Sequence, residues 1–338
     1  MYWGYWADDG YLERELYEIN NIKNMKRCLF LLCFMCSAFT AMHAQQVTFT
    51  PQWTPQSQFA GYYAALEKGF YAQEGIDVNI VHPATSYSSV NMLLDGSSDI
   101  ITGELIQAME AADKDIIFVN LLQTTQHSTL ELLARKENVT SIFQMRGFRI
   151  GTWKVGFNEI PHILNKLQNL NIEWIKFINP INLYISGAID ATLVKSYNEK
   201  ILFSMSGITP GSVLKFSEMG FDFPEDGLYV TEDFYKRNTE LCRKFAQASR
   251  KGWEWVRNNR EEALEIVMKY VKEENVPTNI YNQKVMLDKL LEAQEDVKGK
   301  APSYKLSEEA FNRVNGTLVQ YGFISKPVEY KRLMGGEL

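Results

Sequence analysis

Apolar and polar positions from residue 45 onward fall into short blocks that switch between periods of two and 3.6, the two repeats by which strands and helices bury one face. Residues 47–53, VTFTPQW, alternate and predict a strand. Apolar positions three and four apart over 59–68 predict a helix closed by Gly69, and a short turn ended by Gly75 feeds a strand at 76–81. An amphipathic helix with serines at its start and Gly96 at its end comes next. A strand at 98–102, a helix at 104–112 and two apolar runs of strand length, 116–122 and 130–135, complete the series. Such repeated β-α units predict a parallel sheet covered on both faces.

A second β-α series begins near residue 147. Strands are expected at 147–153, 172–178 and 188–194, each followed by a helix, the middle one carrying Pro180 at a favourable first-turn position. Residues 212–220 are again strand-like, 221–230 cross back, and the remainder shows helical spacing in five segments between 232 and 321. The fold class expected is α/β, a two-lobe clamp with a hinge and a ligand cleft between the lobes. Lobe 1 is placed at 45–135 plus 228–338 and lobe 2 at 136–227. Open α/β sheets hold ligands beyond the carboxyl ends of their strands, where loops and helix N-termini converge. The stretch 52–78 is such a mouth: Trp53 leaves a strand as the polar loop 54–58 delivers the chain to a helix.

The N-terminal end changes the picture of location. Lys26 and Arg27 precede the apolar run CLFLLCFMCSAF and then small and polar residues up to Ala44, the pattern of a signal peptide too short to span a bilayer comfortably. Met25 is the expected start, residues 1–24 an over-extended N-terminus, and the mature protein begins near Gln45. Met42 sits where a small residue is usual before cleavage, which leaves the boundary open by a few residues; Met35 is a poor neighbour for a lipidated Cys36, so a lipid anchor is not expected. Three of the four cysteines lie in this segment. Cys242 is left alone on a predicted helix, as a small buried hydrophobe rather than a nucleophile. Residues 45–338 keep 31 of 35 Lys+Arg and 36 of 41 Asp+Glu, a net charge of −5. No basic stripe remains to neutralise phosphates, which argues against nucleic acid. His82, His127 and His162 fall on separate elements without metal-ligand spacing, and no nucleotide-binding or nucleophile-elbow motif occurs.

The motifs QWTP…GYYAALEKGFYAQEGIDV, LLDGSSDIITGELIQAMEA, GAIDATLVKSYNEK and GWEWVRNNREEALEIVMKY, taken in order, resemble the THI5/NMT1-type branch of the type II periplasmic binding-protein family. The resemblance spans nearly all of the chain after residue 44. It implies a protein that binds a pyrimidine precursor of thiamine. One group in the branch delivers it to an ABC importer, whereas a eukaryotic group makes the pyrimidine phosphate from pyridoxal phosphate and one of its own histidines. Gly103 stands where the synthase has its Schiff-base lysine and Gln107 where it has its sacrificial histidine, and neither can do that chemistry. Residues 221–225, FDFPE, replace its cysteine-rich iron site, so no soft ligand remains. The expectation is therefore a binding protein and not an enzyme, periplasmic and monomeric, needing no cofactor or metal, with an aminopyrimidine ligand and an ABC permease as partners.

An aminopyrimidine needs aromatic faces and a carboxylate that accepts from its amine. Glu199, after the strand 188–194, is the first choice and matches the family's acidic residue at that junction; it also favours a helix dipole by position alone. Trp53, Trp153 and Tyr197 are the candidate stacking faces, and Glu104 either holds a polar ligand edge or caps its helix. Gln58 is a candidate amide contact. Tyr62 and Tyr63 follow at a helix start, where at most one can face the cleft. The loop 156–159 lacks a second glycine and adds Glu159, which disfavours a phosphate. The alternatives are a nitrate- or alkanesulfonate-type carrier, in which Lys154 and Lys195 would move to the centre, and a ligand-sensing module docked on a membrane receptor.

Overall fold

The computed structural model describes residues 44–84, 87–154, 159–167, 170–296, 300 and 302–335. Readings that fall on residues 1–43 and on the loop 155–158 lie outside them.

Among the described residues ten strands form two five-stranded sheets. The first comprises β1 (Gln45–Thr50), β2 (Ile76–Ile80), β3 (Ile100–Glu104), β4 (Phe118–Gln123) and β10 (Asp226–Thr231), in the order β2-β1-β3-β10-β4. The second comprises β5 (Leu130–Ala134), β6 (Arg149–Trp153), β7 (Glu173–Phe177), β8 (Ala191–Lys195) and β9 (Ser212–Lys215), in the order β7-β6-β8-β5-β9. The two orders are equivalent: three parallel strands, then a strand that has crossed from the other sheet and runs antiparallel, then an edge strand. A chain crossing between sheets enters the new one from its ligand end, so it must run against the strands already there. This corrects two expectations. The sheets are mixed rather than wholly parallel, and β5, expected in the first lobe, is hydrogen-bonded to β8 and β9 in the second sheet.

The crossings at 124–129 and 221–225 are tied to each other. The N–H groups of Thr124 and Thr125 donate to the Asp226 carbonyl at 2.9 and 3.2 Å, and Glu225 N–H donates to the Thr125 carbonyl at 3.2 Å. Around the first sheet the helix Ala60–Glu67 packs against the long helix Thr239–Asn258. Gly61 and Gly252 allow that approach: a Cβ on Gly61 would enter the Trp253 indole, and one on Gly252 would meet the Gly61 carbonyl. Cys242, on the same long helix, is fully buried, and burial pushes its thiol up to about 12. The helical tail reaches both sheets. Met286 and Leu290 of Ile280–Ala293 pack on Tyr197 of the second lobe, and the Tyr321 carbonyl lies 3.0 Å from the His162 ring. Among the described residues no helix is long and apolar enough to cross a membrane.

Candidate functional site

The strands β1, β3, β6 and β8 end at one cavity between the sheets, of about 80 Å³. Six of the eight sequence-predicted site residues line it: Trp53, Gln58 and Glu104 from the first lobe, Trp153, Tyr197 and Glu199 from the second. Tyr62 and Tyr63 do not, which corrects that expectation. The helix starts at Ala60, so both tyrosines fall in its first turn on the side facing the helical layer. Tyr62 packs edge-on to Trp253 at 5.8 Å between ring centroids, and Tyr63 stacks on Tyr270 at 4.1 Å.

Tyr63 acts on the cleft at one remove. Its hydroxyl lies 2.9 Å from His82 Nε2, while His82 Nδ1 donates to the Trp53 carbonyl. The imidazole is thereby fixed as the neutral Nδ1–H tautomer with Nε2 accepting from Tyr63. Burial lowers its pKa to about 4. The backbone beneath the Trp53 indole is thus held by a half-buried histidine, as a satisfied group rather than a ligand.

The second lobe holds its aromatic wall through a carboxylate. Trp153 Nε1 donates to Glu199 Oε1 at 3.0 Å, and the Lys195 backbone N–H donates to Glu199 Oε2 at 3.0 Å. Glu199 opens the helix Glu199–Met205, so the dipole reading and the cleft reading describe the same placement. Asn198 Nδ2 adds a long contact to Oε1 at 3.5 Å, and burial raises the pKa of the group.

Lys195 ends β8 and reaches across to the first lobe. Its ammonium lies 2.9 Å from Glu225 Oε2 and 3.3 Å from Glu104 Oε1, all three side chains being nearly buried. Glu225 also accepts from the Thr129 N–H at 2.8 Å, the Thr129 hydroxyl at 2.5 Å and the Ser128 hydroxyl at 3.1 Å, so it pins the crossing strands. Beside it the Asp226 carboxylate accepts from the side-chain amides of Gln52 at 2.6 Å and Gln58 at 2.9 Å. Carboxylates therefore outnumber the ammonium among the described residues. Burial pushes Glu104 up to about 8, with Lys195 opposing and the charge of Glu225 adding to the rise. Burial likewise takes Glu159 to about 7 and Asp226 to about 6. Lys195 is held charged, its desolvation outweighed by Glu104, Glu225 and Asp226.

Sequence reasoning missed the acidic pair Glu225–Asp226 and the lining amides Gln52 and Gln56. The signal for the pair was present: two adjacent carboxylates open an otherwise apolar strand, and a buried carboxylate needs partners. Lys195 had entered only as an anion ligand; it is instead paired with carboxylates, and Lys154, the other candidate, is exposed and outside the cavity wall. Gln107 lines the cavity and its side-chain carbonyl accepts from the Glu104 N–H at 3.0 Å, so it serves as a helix cap. Among the described residues no three His, Cys, Asp or Glu side chains converge to hold a metal ion.

The chain is similar to proteins of known binding activity. It is 22% identical over 286 residues to a formylaminopyrimidine-binding protein of Halalkalibacterium halodurans, covering 82% of this chain and 85% of that one. It is 23% identical over 309 residues to the riboflavin-binding protein RibY of Chloroflexus aurantiacus, covering 87% and 86%. Among solved structures, the periplasmic nitrate-binding protein NrtA of Synechocystis superposes with a TM-score of 0.61 at 12% identity, over 86% of this chain and 84% of that one. That likeness establishes the two-lobe type II periplasmic binding-protein fold. The model of the family described as NMT1/THI5 like matches residues 56–263, and the chain belongs to that family.

Proposed function

We propose that this protein is the periplasmic solute-binding component of an ABC importer, capturing a thiamine-related aminopyrimidine and presenting it to the permease as a monomer. The observation that carries this reading is the chemistry of the interlobe wall. Two indoles and a phenol supply faces, Glu104 and Glu199 supply acceptors, and the single ammonium among the described lining residues is already paired with carboxylates. A flat ring edged with amine donors fits that wall. Nitrate or a sulfonate would bring another negative charge into it, which disfavours the anion-carrier alternative.

The magnitudes are sufficient. Stacking contributes ~0.5 to 1.5 kcal/mol per aromatic pair beyond buried area. A hydrogen bond to a charged group adds about 1.5 to 3 kcal/mol. A few of each reach the roughly −8 kcal/mol of micromolar binding. Location outside the cytoplasmic membrane rests on the signal-like residues 25–44. The absence of catalysis rests on Gly103 and Gln107 occupying the positions that the synthase uses for chemistry.

Calorimetric titration with hydroxymethyl- and formylaminomethyl-pyrimidine, with nitrate and taurine as controls, tests the proposal. Micromolar or tighter pyrimidine binding that weakens at least tenfold in Glu199→Gln is the expected result. Anion binding without a pyrimidine signal would overturn the ligand class and leave the fold intact.

A further inference from the structure

Of the glutamine amides that line the cavity, Gln52, Gln56 and Gln58 have orientations that are not independent. Gln52 Nε2 donates to Asp226 Oδ1 at 2.6 Å, and Gln58 Nε2 donates to the same carboxylate at 2.9 and 3.0 Å. Gln56 Nε2 in turn donates to Gln58 Oε1 at 2.6 Å. Asp226 itself does not line the cavity; it opens the crossing strand β10 with its side chain buried behind the amides. An ionised carboxylate only accepts, so each neighbouring amide must turn its NH₂ toward it and its carbonyl away. Of the carbonyls so turned, that of Gln58 is filled by Gln56, whereas Gln52 Oε1 is buried with no hydrogen-bond partner among the described residues. A buried acceptor without a donor is costly, and a ligand wall is where such a group finds its partner only when the ligand arrives.

We infer that Asp226 is a positioning residue that sets the donor–acceptor polarity of the cleft amides, and that Gln52 Oε1 accepts from an N–H group of the ligand. This rests on the aminopyrimidine reading above and deepens it: selection is for an amine edge, made by an amide whose direction is fixed from behind the wall. The Asp226 pKa of about 6 leaves the carboxylate ionised at neutral pH, where it cannot donate to either amide. Rotating Gln52 to offer its NH₂ to a ligand acceptor would set its carbonyl against that carboxylate, so ligands that present acceptors are rejected by the same arrangement.

The test compares 4-amino-5-hydroxymethyl-2-methylpyrimidine with its 4-methoxy analogue, which replaces the donor N–H groups by an acceptor oxygen. Both are titrated into the full chain, wild type, Gln52→Met, Asp226→Asn and Asp226→Glu, with thermal melts confirming that each variant folds. Wild type is expected to favour the amine by at least tenfold. Gln52→Met and Asp226→Asn should narrow the ratio to within about threefold, the first by removing the acceptor and the second by letting the amide take either orientation. Asp226→Glu, which keeps an acceptor-only group behind the amides, should retain most of the preference. A purely structural role for Asp226 would weaken both ligands equally and leave the ratio alone. A wild-type preference that survives in Gln52→Met overturns the inference while the aminopyrimidine reading stands; should Asp226→Asn not fold, this comparison decides. Wild type that binds neither pyrimidine overturns the reading and the inference together.

Discussion

Replacing Lys195 by methionine tests the electrostatic account of the cleft most directly. The side chain is 7% exposed, with its ammonium 2.9 Å from Glu225 and 3.3 Å from Glu104. At an effective dielectric of about 20 these separations correspond to attractions of roughly 6 and 5 kcal/mol. Desolvating three charges costs several kcal/mol per ion, so the network's net contribution is far smaller than that sum. Removing one partner is different, because the methionine keeps the packing while Glu225 and Glu104 remain buried without their counter-ion. The expected loss of unfolding free energy at pH 8 is about 3–5 kcal/mol. The loss must also depend on pH in a defined direction. Lys195 depresses the proton affinity of Glu104 and Asp226, so its removal lets them take protons at higher pH. At pH 5 those carboxyls are neutral in wild type and variant alike, and the expected loss shrinks to about 1–2 kcal/mol. Urea denaturation followed by far-ultraviolet circular dichroism at the two pH values measures both numbers. A loss below 1 kcal/mol at pH 8, or one that does not change with pH, would refute the buried-network account.

The wild-type protein itself should lose stability as pH rises from about 4.5 to 8. Glu104, Glu159 and Asp226 have folded-state pKa values of about 8, 7 and 6, above their unfolded ones, so the folded state holds more protons across that window. Glu104→Gln, which mimics the protonated form, should flatten the slope measured by denaturant titration; an unchanged slope would remove Glu104 as its source. His82 should stay neutral until about pH 4, read from its imidazole carbon shifts by NMR, and a titration near 6.5 would contradict its place under Trp53. Gly252→Ala should cost about 2–3 kcal/mol, because the added methyl meets the Gly61 carbonyl across the helix pair. A thermal melt within one degree of wild type would show that the helices can separate without penalty.

Much of the molecule is legible in the order of its residues alone. Alternation at 47–53 and 3.6-residue spacing at 59–68 report which faces are buried, and those periods arise locally, so the β-α units appear where expected. The carboxyl ends of strands form the mouth of an α/β sheet, which is why Trp53, Glu104 and Trp153 could be chosen from position, and Glu199 from position together with the family resemblance, and converge on one cavity. Tyr62 and Tyr63 show where position stops helping. Two adjacent aromatic residues in a first helical turn have equal claims to the cleft, and only the packing of Trp253 and Tyr270 against them turns both inward.

The assignment of β5 and the work of Glu225, Asp226 and Lys195 belong to the tertiary structure alone. A strand carries no mark of which sheet it joins when both sheets are equally apolar, so β5 looks like the end of the first series although it pairs with β8 and β9. Charged residues read as solvated or as ligands in a linear chain, because nothing in the sequence says that residues 104, 195 and 225 meet. Local periodicity determines burial one residue at a time. Partners separated by dozens of residues are decided only when the two sheets close on one another, and at this cleft those partners set the charge.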